Sequence, residues 1–303
     1  MSAARLAAVV LSWNGREHTL ACLRSLEAVE YEPLDVIVVD NGSVDGSADA
    51  VAAAFPQADL VRLERNRGFA GGMNAGAERA LDRGAEHVLL LNNDTEVDPA
   101  APGSLVAEAG RRSEAAAVCA TIYFREPPGV IWYAGARFDP KRGYQGRHEG
   151  YGSQEAPASV RETERACGAA MLVPAAVIQE LGLFDEDLFA YAEDADWSLR
   201  ARDAGRTLLV VPEARVVHGV SVATGGEGSE AALYYSVRNL LVVCERHASL
   251  GPLGTWRRRA VVVSAHLAQA LRGSERRRSV RAVQRGWRDF RRGRLGEYRP
   301  SGD

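Results

Sequence analysis

The sequence predicts an α/β fold with a mostly parallel central sheet flanked by helices. Two observations carry this. Through the first 120 residues, short β-branched apolar runs alternate with helical stretches. And 46% of the 303 residues are hydrophobic, enough to build the core of one large α/β domain or two modest ones.

The elements follow in order. Ala7–Ser12, Val36–Val39, Leu60–Leu63 and Val88–Leu91 are near-continuous apolar runs, the pattern of strands buried on both faces. Between them, Leu20, Leu23 and Leu26 recur at helical spacing, 45–54 is Ala-rich, and 68–81 opens with glycines and continues as a helix. Residues 123–160 are rich in Gly, Pro, Tyr and charge, with a short strand-like piece at Val130–Tyr133. They read as a loop-rich insertion that shapes an acceptor site. Cys167–Val173 returns as a strand, and Pro174 starts a helix ending near Gly182. Asp194–Ala204 is helical with Gly205 as its stop, and Thr207–Val211 and Arg215–His218 are strand-like. From Ser229 onward the chain reads as helical.

Composition narrows the function. Cys22, Cys119, Cys167 and Cys244 are far apart, which argues for reduced thiols rather than a zinc site or disulfide framework. Leu6–Leu11 is too short and too soon interrupted by Asn14-Gly15 for a secretory signal. No apolar run approaches the ~18 residues of a membrane span, so a cytoplasmic or peripheral protein is expected. The net charge of −3 hides an asymmetry: residues 251–303 hold 14 Arg against four acids. Such a tail is expected to meet an anionic membrane surface or lipid phosphate, or else to pair with the acidic remainder or another subunit. No base-reading motif accompanies it, so nucleic acid is not expected.

Five segments carry chemistry. Val38-Val39-Asp40-Asn41-Gly42-Ser43-Val44-Asp45 closes the second strand, where ligands of doubly wound sheets bind. A carboxylate there accepts the imide N–H of uracil or thymine, or Asp45 simply caps the next helix. Asn66-Arg67-Gly68-Phe69-Ala70-Gly71-Gly72-Met73-Asn74 opens a helix with glycines. These admit a diphosphate or sugar to the backbone, or serve close helix–strand packing. Asn92-Asn93-Asp94 follows a buried strand, so Asp94 can give a divalent cation a charged oxygen and Asn92 a neutral one. Glu193-Asp194-Ala195-Asp196-Trp197 places three acids at a helix start, which suits the helix dipole or a general base. Asp196 can pair with Arg200 at i+4, leaving Asp194 as the candidate base. His218 ends a strand and can act as an imidazole ligand.

Together and in this order, these segments resemble the family 2 glycosyltransferases of GT-A fold, over about residues 5–245. The resemblance implies an inverting, metal-dependent hexosyl transfer from a nucleotide-diphosphate sugar to a hydroxyl of a glycan, lipid-linked or small-molecule acceptor. It implies that Asp40 binds the donor base with Trp13, Asn14 and Asp45 nearby, and that Asn66, Gly68, Asn74, Asn92 and Asn93 line the donor site. Asp94 and His218 would hold Mg²⁺ or Mn²⁺, Asp194 would be the base, and Glu193, Asp196 and Trp197 would support it or the acceptor. Asn92 stands where the family usually has the first Asp of an Asp-x-Asp triplet, which removes one charged ligand. The Asn-Asn-Asp-Thr-Glu-Val form is similar to the rhamnosyltransferase-like branch and points to dTDP-rhamnose, with a UDP-sugar the other choice. A single GT-A domain is expected over 1–228, with a donor half to about 120 and an acceptor half beyond it, followed by an Arg-rich helical extension over 229–303. Two other functions share the nucleotide-binding features. A non-catalytic sugar-nucleotide binder would have no use for Asp94 plus Asp194. A nucleotidylyltransferase is expected to carry a basic Gly-rich loop after the first strand, where this chain has Trp13-Asn14-Gly15. A dinucleotide oxidoreductase would need GxGxxG at that position.

Overall fold

The computed structural model describes residues 3–140, 143, 147–219, 229–247, 250–273 and 275–298. The expected boundary at 228 and the last residues of the tail lie outside them. The strands are β1 (Leu6–Ser12), β2 (Leu34–Asp40), β3 (Asp59–Arg62), β4 (His87–Asn92), β5 (Thr95–Val97), β6 (Ala115–Phe124), β7 (Ile131–Tyr133), β8 (Ala136–Arg137), β9 (Arg147–His148), β10 (Arg161–Glu162), β11 (Ala170–Pro174) and β12 (Thr207–His218). The helices are α1 (Arg16–Glu27), α2 (Ser47–Ala54), α3 (Gly68–Asp82), α4 (Ala101–Arg111), α5 (Ala175–Leu181), α6 (Glu193–Asp203), α7 (Glu230–His247), α8 (Pro252–Arg272) and α9 (Arg276–Arg291).

The main sheet runs β10-β12-β6-β11-β4-β1-β2-β3, with β5 against β12 and β7 against β6. It is parallel from β4 through β3, as the βαβ alternation requires. The register sets Ser12 beside Asp40 and Leu11 beside Asn92, so three strands end together and deliver polar residues to one edge. Beyond β4 the sheet is mixed. β11 lies antiparallel between β4 and β6, and β12 is parallel to β6.

Three pieces differ from the sequence reading. α4 and β6 were not anticipated: Ala115-Ala116-Ala117-Val118-Cys119-Ala120 looks helical by composition, yet it is a fully buried strand whose small side chains fit between packed layers. The two strand-like runs before His218 are one strand, with a register shift between Val211 and Arg215. The insertion carries the expected short strand as β7 and adds the β8–β9 ribbon, with β10 just past its end. The four cysteines are buried free thiols.

The core is one apolar cluster around the sheet. A second cluster joins α7, α8 and α9 to Ala195 and Leu199 of α6. The C-terminal helices therefore pack directly behind the acidic helix start.

Candidate active site

The ends of β1, β2 and β4 make the first part of the cleft. Asp40 is buried. Its Oδ2 accepts from the Ser43 N–H at 3.3 Å, while its Oδ1 is buried without a partner. Asn14 adopts φ +45°, and its Oδ1 accepts from the Val44 N–H at 2.9 Å, tying the β1 and β2 turns together. Trp13 stays 37% exposed beside them, a free aromatic face at the rim of an acceptor group. Asp45 is spent on the backbone. It accepts from the Gly15 N–H at 2.8 Å, the Arg16 N–H and the Ser47 N–H, capping two helices at once. Burial pushes its carboxyl up, but these bonds, led by Ser47, hold it below the ordinary carboxylate range.

The glycine-rich segment is a packing joint. A Cβ on Gly72 would sit 2.3 Å from Leu11 Cδ1, and one on Gly76 2.2 Å from Val9 Cγ1, so α3 lies directly on β1. Gly68, at φ +75°, backs onto the Phe189 carbonyl. Asn66 Oδ1 accepts from the Gly68 N–H at 2.7 Å and from Asn41 Nδ2. Asn74 bonds Phe184 through both its carbonyl oxygen and its amide nitrogen, and Arg67 pairs with Glu186 at 2.9 Å. Gly68 and Asn74 thus brace the 184–189 segment, and Asn66 holds the turn that leads into α3.

Asn92, Asp94 and His218 converge. β12 reaches β5 so that His218 lies opposite Thr95. His218 Nε2 is 3.1 Å from Asp94 Oδ1 and 3.1 Å from Asn92 Nδ2. Asn92 Oδ1 and His218 Nδ1 are buried without partners, and Trp132 stands edge-on to the imidazole at 4.9 Å. A carboxylate, an amide oxygen and an imidazole suit Mg²⁺ or Mn²⁺. Among the described residues no three His, Cys, Asp or Glu side chains cluster as a cation cage. Asn93 instead donates to Thr19 Oγ1 at 2.9 Å, fixing α1 to the edge.

The acidic helix start faces the 167–169 loop, whose Ala169 carbonyl accepts from the Asn92 N–H. Asp194 is buried. Its Oδ1 accepts from Arg165 Nη2 at 2.7 Å, and its Oδ2 lies 3.5 Å from the Gly168 N–H. Glu193 is buried with Oε2 unpartnered, and burial, reinforced by the Asp194 charge, pushes its carboxyl up to about 8. Asp196 is structural. Arg200, Arg246 and His247 all reach it, and though burial pushes its carboxyl up, these partners hold it below the usual range. Trp197 is fully buried and donates to the Gly182 carbonyl, so it is part of the core and does not face an acceptor.

Arg165 and Trp132 escaped the sequence reading. Both lie in the stretch read as loop-rich or just past it. A lone Arg 29 residues before its carboxylate gives no local signal.

Comparison with known proteins decides the family. The glycosyl transferase family 2 profile matches residues 8–172, more than half of the chain. The chain belongs to glycosyl transferase family 2. This glycosyltransferase is 28% identical, over 96% of both chains, to the N-acetylglucosaminyl-diphospho-decaprenol L-rhamnosyltransferase of Mycobacterium tuberculosis. It is 23% identical to the dTDP-rhamnosyl transferase RfbF of Shigella flexneri, over 79% of this chain and 80% of that one. It is thus a rhamnosyltransferase-like member. Among solved structures, GalNAc-T7 with UDP, GalNAc and Mn²⁺ superposes with a TM-score of 0.64 at 18% identity, which shows the shared GT-A fold. The superposition spans 95% of this chain and 56% of GalNAc-T7.

Proposed function

We propose that this glycosyltransferase moves L-rhamnose from dTDP-rhamnose to a hydroxyl of a sugar carried on a lipid diphosphate, with inversion at the anomeric carbon. The observation that carries the reading is the joint placement, along one sheet edge, of the unpartnered Asp40 oxygen, the Asn92–Asp94–His218 cluster and the 167–169 loop beside Asp194. The end-to-end likeness to the decaprenol-linked rhamnosyltransferase supports the substrate pair.

In this reading Asp40 Oδ1 accepts the thymine imide N–H and Trp13 covers the base. Asp94, with His218 and the Asn92 carbonyl oxygen, would hold Mg²⁺ or Mn²⁺, which would supply positive charge for the leaving group. Asp194 takes the acceptor proton as the acceptor oxygen bonds to the anomeric carbon, and the nucleoside diphosphate departs with the electron pair of the broken C–O bond. Arg165 fixes the orientation of Asp194. Glu193, protonated at neutral pH, adds no second negative charge beside the base. We assign residues 1–228 to the catalytic unit and 229–303 to a helical extension.

The extension offers a membrane-facing surface. On α8, Leu253 is 70% exposed, Trp256 66% and Leu271 56%. On α9, Arg277, Arg281, Arg288, Arg291 and Arg292 are exposed, and like charges at this helical spacing repel unless an anion lies between them. Leu267, Trp287 and Phe290 pack inward instead. Among the described residues no helix is long and apolar enough to cross a membrane. An anionic bilayer is the complementary partner, and it would bring the enzyme to a lipid-linked acceptor.

The test is a thermal-shift panel of dTDP-rhamnose, UDP-sugars and GDP-sugars with and without Mn²⁺. dTDP-rhamnose with Mn²⁺ should raise the melting point most, and Asp94→Ala should erase the Mn²⁺-dependent part. A UDP-sugar giving the largest shift would overturn the donor assignment.

A further inference from the structure

We propose that Asn239 and Arg238 of α7 are positioning residues for the transfer reaction, holding in place the backbone turn that delivers Glu193 and Asp194. The proposal rests on Asp194 being the base.

The turn is costly to hold. Phe189, Tyr191 and Ala192 have φ of +66°, +66° and +68°, the left-handed region that residues with a Cβ rarely occupy. None is glycine. Such a backbone persists only where its surroundings over-determine it. Here Asn239 does so with one group. Its Nδ2 lies within hydrogen-bond distance of the carbonyls of Leu188 at 2.8 Å, Ala190 at 2.8 Å and Tyr191 at 2.7 Å, and shares its two N–H groups among the three. Arg238 Nε donates to Asn239 Oδ1 at 2.8 Å, which fixes the amide so that its nitrogen faces the turn. Arg238 Nη2 adds a bond to the Leu188 carbonyl at 2.9 Å, and Nη1 donates to the Gly296 carbonyl at 2.6 Å. Both side chains are fully buried.

The opposite side of the turn is held by α3. The Ala70 N–H donates to the Phe189 carbonyl at 3.1 Å, and a Cβ on Gly68 would stand 2.3 Å from that oxygen. The Phe189 ring stacks on Tyr235 of α7 at 5.3 Å and 12°. The carbonyls of 188 to 191 are therefore gripped from two directions, by α7 and by the glycine-rich helix start. Packing alone would not need a buried guanidinium directed at carbonyls. Fixing the first turn of α6 does, because a shift of ~1 Å in a catalytic group can cost ~100-fold in rate.

The experiment uses the full chain with dTDP-rhamnose as donor and a synthetic prenyl-diphospho-GlcNAc acceptor, comparing wild type with Asn239→Ala, Asn239→Ser, Gly68→Ala and Asp194→Asn. Asn239→Ala should lower kcat ~10–100-fold. The donor KM and the thermal shift given by dTDP with Mn²⁺ should stay at wild-type values, and the acid limb of the pH–rate profile should move. Asn239→Ser, which keeps one donor, should recover part of the rate and decides the matter by the same readouts if the alanine variant does not fold. Gly68→Ala, pressing on the turn from the other side, should also lower kcat. Wild-type kcat and pH profile in both Asn239 variants, with Asp194→Asn inactive, overturns the proposal while leaving the base assignment standing. A loss of donor affinity matching the loss of kcat also overturns it. Wild-type turnover by Asp194→Asn removes the base and the proposal together.

Discussion

Replacing Glu193 with glutamine should make the enzyme more stable at alkaline pH and flatten its stability profile. The Glu193 carboxyl is buried with Oε2 unpartnered, and burial plus the neighbouring Asp194 charge lift it to about 8 against an ordinary 4.5. The groups that bear on it are Asp194, which raises it, and Arg165, which opposes the rise. Between these two values the folded chain holds a proton that the unfolded chain has released. Stability must then fall as pH climbs, by about 1.4 kcal/mol for each pH unit. The full span corresponds to a penalty on the order of 5 kcal/mol above pH 8, and none below about pH 4. Glutamine keeps the shape and cannot ionise. Urea unfolding of wild type and Glu193→Gln at half-unit steps from pH 5 to 9 reads the difference. The gap between the two should widen by roughly 3 kcal/mol in favour of the variant from pH 5 to pH 7.5. Parallel curves over the whole range would show that Glu193 is ionised in the folded protein, and the picture of a single negative charge at the base would fall.

Four further outcomes follow from the same geometry. Asp194→Asn should retain dTDP binding while turnover drops ~10²–10⁴-fold. Asp196→Asn should instead lower stability by ~2–3 kcal/mol, because Arg200, Arg246 and His247 lose their common partner; a larger catalytic loss in Asp196→Asn would reverse the two roles. Gly76→Ala should destabilise by ~1–3 kcal/mol in a thermal melt, since the added methyl meets Val9 and Val39, and a neutral or stabilising effect would contradict the close packing of α3 on β1. The full chain should co-sediment with anionic vesicles at low salt and lose this with Arg281, Arg288 and Arg292 changed to Gln; equal sedimentation of that variant would remove α9 from the contact.

The donor half of the fold was legible in the sequence because its strands are buried on both faces. Residues 7–12, 36–39 and 88–91 announce themselves as apolar runs that lead into Trp13-Asn14, Asp40-Asn41 and Asn92-Asn93-Asp94. β6 was not legible, because alanines carry no strand signal and fit there only through tertiary packing. The Asp196–Arg200 pair was legible from the i+4 spacing alone. The glycines at 68, 72 and 76 were legible as positions that need space, and in the structure Leu11, Val9 and Phe189 stand where a Cβ would fall. Arg165, Arg238 and Asn239 were invisible, since each acts on a backbone or carboxylate far away in the chain.

The most direct test of the central claim is the anomeric configuration of the product formed from dTDP-rhamnose, read by NMR in the presence of Mn²⁺. A single displacement with Asp194 as the only base predicts one product, with the configuration at the anomeric carbon opposite to that of the donor. A product that retains the donor configuration, or no rhamnosyl transfer while another nucleotide sugar is consumed, would contradict it.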